Sequence, residues 1–156
     1  MTEPITIIVP GKPIPKARPR LGKGNVYTPV KTVLYERLVG LKATQAMAGK
    51  KPFTGPVRLD LRAQFEVPKS WPAARKTQAL LGELVPGRVD TDNLVKSFTD
   101  ALNRIVYVDD SQIVQINARR VYGHSAHVVA TIQPMLPDAQ NELNRVPELK
   151  ESAEPA

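Results

Sequence analysis

Arg88-Val-Asp-Thr-Asp-Asn-Leu-Val-Lys-Ser-Phe-Thr-Asp-Ala-Leu-Asn103, followed closely by Val108-Asp-Asp-Ser-Gln-Ile113, is the stretch on which the reading of this chain turns. Asp90 and Asp92 stand two apart, so in an extended segment both carboxylates point to the same side. From about Asn93 to Asn103 the spacing predicts a helix. Leu94, Val95, Phe98, Ala101, Leu102 and, just beyond, Ile105 supply its core-facing stripe. Asp92, Lys96 and Asp100 follow at i, i+4 and i+8 and share another face. Val106-Tyr-Val108 is expected to return the chain as a short extended segment, bringing Asp109 and Asp110 near the first pair.

The chain around this window is basic. It holds 22 Lys and Arg against 15 Asp and Glu, a net charge of +7, which favours a polyanionic partner. A carboxylate cluster in a basic protein suits a magnesium-dependent enzyme acting on a polyanion. Magnesium takes hard oxygen ligands, usually one or two carboxylates plus substrate phosphate, and it lowers the pKa of a bound water. Lys96 would stabilise charge on a phosphate oxygen or the leaving group. The same residues have blander uses. An aspartate at a helix start caps it, Asp-Asp-Ser before a strand is common turn chemistry, and Asp92, Lys96 and Asp100 would make a solvated ion-pair ladder.

Outward from the window, Pro4 to Pro10 reads as a short β-branched strand with prolines suiting an edge. Gly11 to Asn25, rich in proline and glycine, is expected to be an extended, solvated arm without a regular ladder. It presents Lys12, Lys16, Arg18, Arg20 and Lys23 to a phosphate backbone or simply to water. Thr28 and Pro29 open a helix ending near Gly49, with Val30, Val33, Leu34, Leu38 and Leu41 expected as its buried stripe. Val57 to Val67 alternates and predicts a half-buried strand antiparallel to a neighbour. Ser70 is the expected cap of a short helix over Ala73 to Leu81, and Trp71 serves as a stacking platform or a lid over the core. Gln112 to Val121 and His127 to Gln133 read as a β-hairpin around Gly123-His124. His124 and His127 lack the spacing of a helical metal pair.

At 156 residues the chain makes one domain with a real core. It has no cysteine, which removes disulfides, thiolate metal sites and cysteine nucleophiles, and fits a reducing compartment. No apolar run approaches the roughly 20 residues that span a bilayer, and no signal series opens the chain. The expectation is a cytoplasmic protein with no membrane partner. From Pro134 onward the composition turns polar, so a folded domain over residues 1–134 and a polar, disordered tail over 135–156 are expected.

Taken together, the window resembles the RusA-type Holliday junction resolvases (crossover junction endodeoxyribonucleases) of bacteria and their phages. The resemblance rests on Asp90-Thr-Asp-Asn-Leu-Val-Lys96, Asp100-Ala-Leu102 and Asp109-Asp-Ser-Gln-Ile113. It extends to Gly11-Lys-Pro-Ile-Pro-Lys-Ala-Arg-Pro-Arg20, Tyr27-Thr-Pro29 and Pro68-Lys-Ser-Trp71, covering about Ile5 to Ile132. It implies a homodimeric α+β endonuclease that makes paired nicks across four-way DNA junctions in recombination and repair, using magnesium or manganese. The expected architecture is a small mixed β-sheet packed with two main helices. By position, the implied catalytic and metal-holding carboxylates are Asp90, Asp92 and Asp110, and the essential lysine is Lys96. Asp100 and Asp109 match as supporting residues. Members often carry proline before the first aspartate, where this chain has Val89, a change to local backbone rather than to the ligand set. Lys12, Lys16, Arg18 and Arg20 are the expected grips on junction arms. Two other readings remain open: a broader nuclease of flaps and forks, and a non-catalytic DNA-binding protein.

Overall fold

A computed structural model describes residues 3–18 and 20–135, apart from the side chains of Arg20 and Tyr27. In chain order the elements are β1 (Ile5–Pro10), β2 (Arg20–Gly22), β3 (Asn25–Tyr27), α1 (Val30–Met47), β4 (Val57–Glu66), α2 (Ala73–Leu80), α3 (Thr91–Leu102), β5 (Ile113–Gly123) and β6 (His127–Pro134), with a 3-10 turn over Asp110–Gln112. The fold is α+β. A mixed four-stranded sheet, ordered β1-β6-β4-β5, carries α1 and α3 on one face. The tail expected over 135–156 lies, beyond Met135, outside the described residues.

Alternation in β4 builds the core. Val57, Leu59, Leu61, Ala63 and Phe65 are buried and meet Ile5, Ile7 and Val9 of β1 and Val128, Ala130 and Ile132 of β6 in one cluster. Helix α3 adds Leu94, Phe98 and Leu102, the stripe its periodicity predicts. The rings of Phe98 and Tyr35 of α1 pack in a T-shaped arrangement, 6.1 Å between centroids.

Four expectations need correction. The hairpin of β5 with β6 does not form, because β4 lies between them, pairing parallel with β5 and antiparallel with β6. The short connection crosses the end of β4, where Val67 N–H donates to the Gly123 carbonyl and the Gln64 amide donates to the Ser125 carbonyl. A Cβ at Gly123 would fall 2.2 Å from the Gln64 amide, so any larger residue there would displace that side chain. On α1 the buried face is Thr32, Tyr35, Val39, Ala43 and Met47, while Val30, Leu34 and Leu41 are exposed in a row. Small and aromatic residues thus seat the helix, and Gly40 brings it close to α3 beside Ile105 and the Ala101 carbonyl. The basic arm does contain a ladder, the β2–β3 hairpin, whose turn uses Gly24 at φ 81°. Finally, α1 and α2 start one residue after Pro29 and Pro72, and neither Thr28 nor Ser70 is the N-cap.

Candidate active site

Helix α3 opens directly after Asp90, which is its extended N-cap residue (φ −80°, ψ 117°). The loop before it is fixed from β5, where the Arg120 guanidinium donates to the Thr91 hydroxyl at 2.9 Å and to the Pro86 carbonyl. Two turns of α3 then place Asp92, Val95, Lys96 and Thr99 along one side of an open groove of about 270 Å³. Asp110, Ile113 and Ile116 form the other side.

The return segment after α3 is held on both flanks. The buried Tyr107 hydroxyl donates to the Thr99 carbonyl at 2.6 Å, tying the segment to α3. Its pKa is pushed upward by burial and by the neighbouring carboxylates Asp110, Asp100 and Asp109. On the other flank Phe53 N–H donates to the Val106 carbonyl and Val108 N–H to the Phe53 carbonyl. Asp109 then caps the 3-10 turn that presents Asp110. The Ser111 side chain and N–H both hydrogen-bond its carboxylate and lower its pKa, and its own N–H donates to the Gln112 side chain at 2.9 Å. The Gln112 amide in turn donates to the Phe53 and Gly55 carbonyls at 2.8 and 2.9 Å. Asp109 therefore shapes the turn, while Asp110 faces the groove.

The resulting arrangement unites Asp92, Lys96 and Asp110. Asp90 lies outside the groove lining, exposed, with its carboxylate accepting from the Asn93 amide at 3.2 Å. Among the described residues, no three histidine or carboxylate side chains cluster closely enough to hold a metal ion. Neither Asp92 nor Asp110 enters a salt bridge there, so their oxygens are available as a hard donor pair of the kind magnesium accepts beside substrate phosphates.

Behind the groove, Asp100 joins two cations. One carboxylate oxygen meets Lys96 Nζ at 2.8 Å, and the other meets Lys16 Nζ at 2.8 Å. Lys16 also reaches Glu36 at 2.7 Å. Partial burial disfavours the Asp100 charge, but the two ammonium groups outweigh it and its pKa is lowered. The hydrogen bond that Lys96 donates to Asp100 raises the lysine's pKa.

The expected arm residues divide. Lys12 and Arg18 are exposed, the Arg20 side chain lies outside the described residues, and Lys16 turns inward rather than toward solvent. The segment is strapped rather than solvated. Gly11 N–H donates to Ala126, Lys16 N–H to Asn93, and the Ser97 hydroxyl to the Ile14 carbonyl. The His127 ring lies 3.3 Å from the Ser125 hydroxyl. Trp71 packs edge-on against Tyr122 at 5.4 Å and carries the Arg75 guanidinium over its ring at 3.9 Å.

Fold and groove together define an α+β protein with a carboxylate–ammonium groove on a basic body. Residues 10–133 match the family Endodeoxyribonuclease RusA, and the chain belongs to that family. It is also similar to the uncharacterized protein YqaN of Bacillus subtilis strain 168, with 34% identity over 136 residues, covering 83% of this chain and 95% of that one. Family membership indicates an endodeoxyribonuclease of Holliday junctions. No helix among the described residues is long and apolar enough to cross a membrane.

Proposed function

We propose that this protein resolves four-way DNA junctions by paired, symmetric, magnesium-dependent nicks, acting in recombination and repair as a homodimer. The observation that carries this reading is the groove shared by Asp92, Lys96 and Asp110 in a chain of the RusA family. Asp92 and Asp110, with Asp90 beside the α3 entry, would hold magnesium or manganese. That ion would supply an activated water and neutralise phosphate charge. Lys96 does its part without it. Held in place by Asp100, it offers a positioned positive charge to a non-bridging or leaving oxygen of the scissile phosphate. Val95, Ile113 and Ile116 give the groove apolar walls beside these charged groups. Lys12, Arg18 and Arg20 would grip the junction arms through their phosphates.

Two symmetric cuts need two sites related by a two-fold axis, and an isologous dimer supplies them. The exposed row Val30, Leu34 and Leu41 on α1 supports a second copy as the partner. The test is a labelled four-way junction beside flap and fork substrates, with and without magnesium. Paired symmetric nicks on the junction, requiring metal, are expected. Equal cutting of flaps and forks would replace the resolvase with a broader nuclease, and binding without cutting would leave a DNA-binding protein.

A further inference from the structure

We infer that Lys16 is a positioning residue for Lys96, acting through Asp100, and not a contact to DNA phosphate; this rests on the nuclease reading above. The geometry is a chain of alternating charges, Glu36–Lys16–Asp100–Lys96, with successive contacts of 2.7, 2.8 and 2.8 Å. Each oxygen of the Asp100 carboxylate takes a different ammonium group, so the carboxylate cannot rotate without breaking one pair. The chain opens toward the groove. The side chains of Glu36, Lys16 and Asp100 are 24%, 26% and 25% exposed, and that of Lys96 is 55% exposed.

Lys16 is held at its backbone as well. Its N–H donates to the Asn93 carbonyl at 2.9 Å, one turn before Lys96 on α3, and the next N–H, of Ala17, donates to the Thr32 hydroxyl on α1 at 3.3 Å. The strap thus crosses from one helix to the other with Lys16 between their acids. Two of the three Lys16 N–H donors are held by carboxylates in a partly buried position, which leaves it poorly placed to grip a phosphate. Lysine carries a flexible four-carbon stem, so a lysine meant to act at one oxygen needs an external anchor. Asp100 anchors Lys96, and Lys16 with Glu36 anchors Asp100.

The experiment uses the full chain with K16M, K16R, E36Q, D100N and the K16M/D100N pair. It measures single-turnover cleavage of a four-way junction in magnesium, junction affinity without divalent metal across a salt series, and melting temperature. K16M is expected to slow cleavage about tenfold, short of the roughly 10²-fold that a 1 Å misplacement of a catalytic group can cost. Affinity and its salt slope should stay at wild type, whereas loss of a phosphate-contacting lysine lowers the slope by about one. K16R should restore most of the rate, since it keeps a cation between the two acids. The double variant should be little slower than D100N alone, because both act on one group. Should K16M fail to fold, E36Q, which loosens Lys16 without removing it, carries the same expectation of slower cleavage with unaltered binding. Weaker binding with a reduced slope and an unchanged rate would make Lys16 a phosphate contact and overturn the inference. So would variants that cut as fast as wild type. A wild-type chain that leaves the junction intact would overturn the nuclease reading along with it.

Discussion

Asp100 meets both Lys16 and Lys96, and its lowered pKa makes that arrangement pH-dependent in a definite direction. A carboxyl whose folded pKa lies below its unfolded value, about 4, stabilises the protein above that value and loses the contribution as pH falls through the folded pKa. Lys16 and Lys96 have raised pKa values and lose theirs only in strong base. Asp100→Asn should therefore cost about 1–2 kcal/mol at neutral pH, discounted for partial exposure, with the difference from wild type shrinking below about pH 4. Thermal melts across pH would check it, and a pH-independent difference would contradict it. Gln112 offers a second residue-scale test. Gln112→Ala removes three hydrogen bonds around the turn that presents Asp110. Cleavage should fall at least tenfold with junction affinity retained, as a displaced catalytic group requires; a wild-type cleavage rate would show that the turn holds its shape without the amide. The sequence carries a signal for the capping box, an Asp followed three residues later by Gln, although the aspartates there read only as turn chemistry. Arg120 carried no such signal, because its partners Thr91 and Pro86 lie far away in sequence.

Helix α3 supports the site because one side is dry and the other lines the groove. Phe98 is fully buried at the centre of the dry side, against Tyr35. Phe98→Ala should destabilise the protein by about 3–5 kcal/mol in denaturant melts, as cavities of that size do. At the crossover from β5 to β6, Gly123→Ala would force Gln64 from its place and cost about 1–3 kcal/mol; a neutral result would mean the crossing has slack. The two long helices differed in legibility for a physical reason. The stripe on α3 combines large apolar residues with a polar opposite face, so periodicity identifies the buried side. Along α1 large apolar residues lie on more than one side, and the buried positions include Thr32 and Ala43, which hydropathy alone does not select.

Across the whole molecule, an excess of positive charge surrounds a groove lined by acids. Junction affinity should fall steeply with salt, in proportion to the phosphates neutralised. A dimer is expected in solution, and Leu34→Glu with Leu41→Glu should give a monomer that no longer makes paired nicks. Sedimentation and junction cleavage would read the two effects, and a dimer persisting in the double variant would place the interface elsewhere.

The sequence by itself determined the helix that carries Asp92, Lys96 and Asp100, the strand pattern of β4, the class α+β and the family motif. Each is encoded in spacing within a few turns or one strand, where side-chain direction follows from backbone periodicity. Only the tertiary structure decided that β4 separates β5 from β6, that α1 seats on its small residues, and that Lys16 turns inward. Those outcomes depend on which distant segments pack together, such as Lys16 with Asp100 across 84 residues of chain, and no local pattern records that choice. The window from Arg88 to Ile113 named its acids; the fold divided them between groove, cap and anchor.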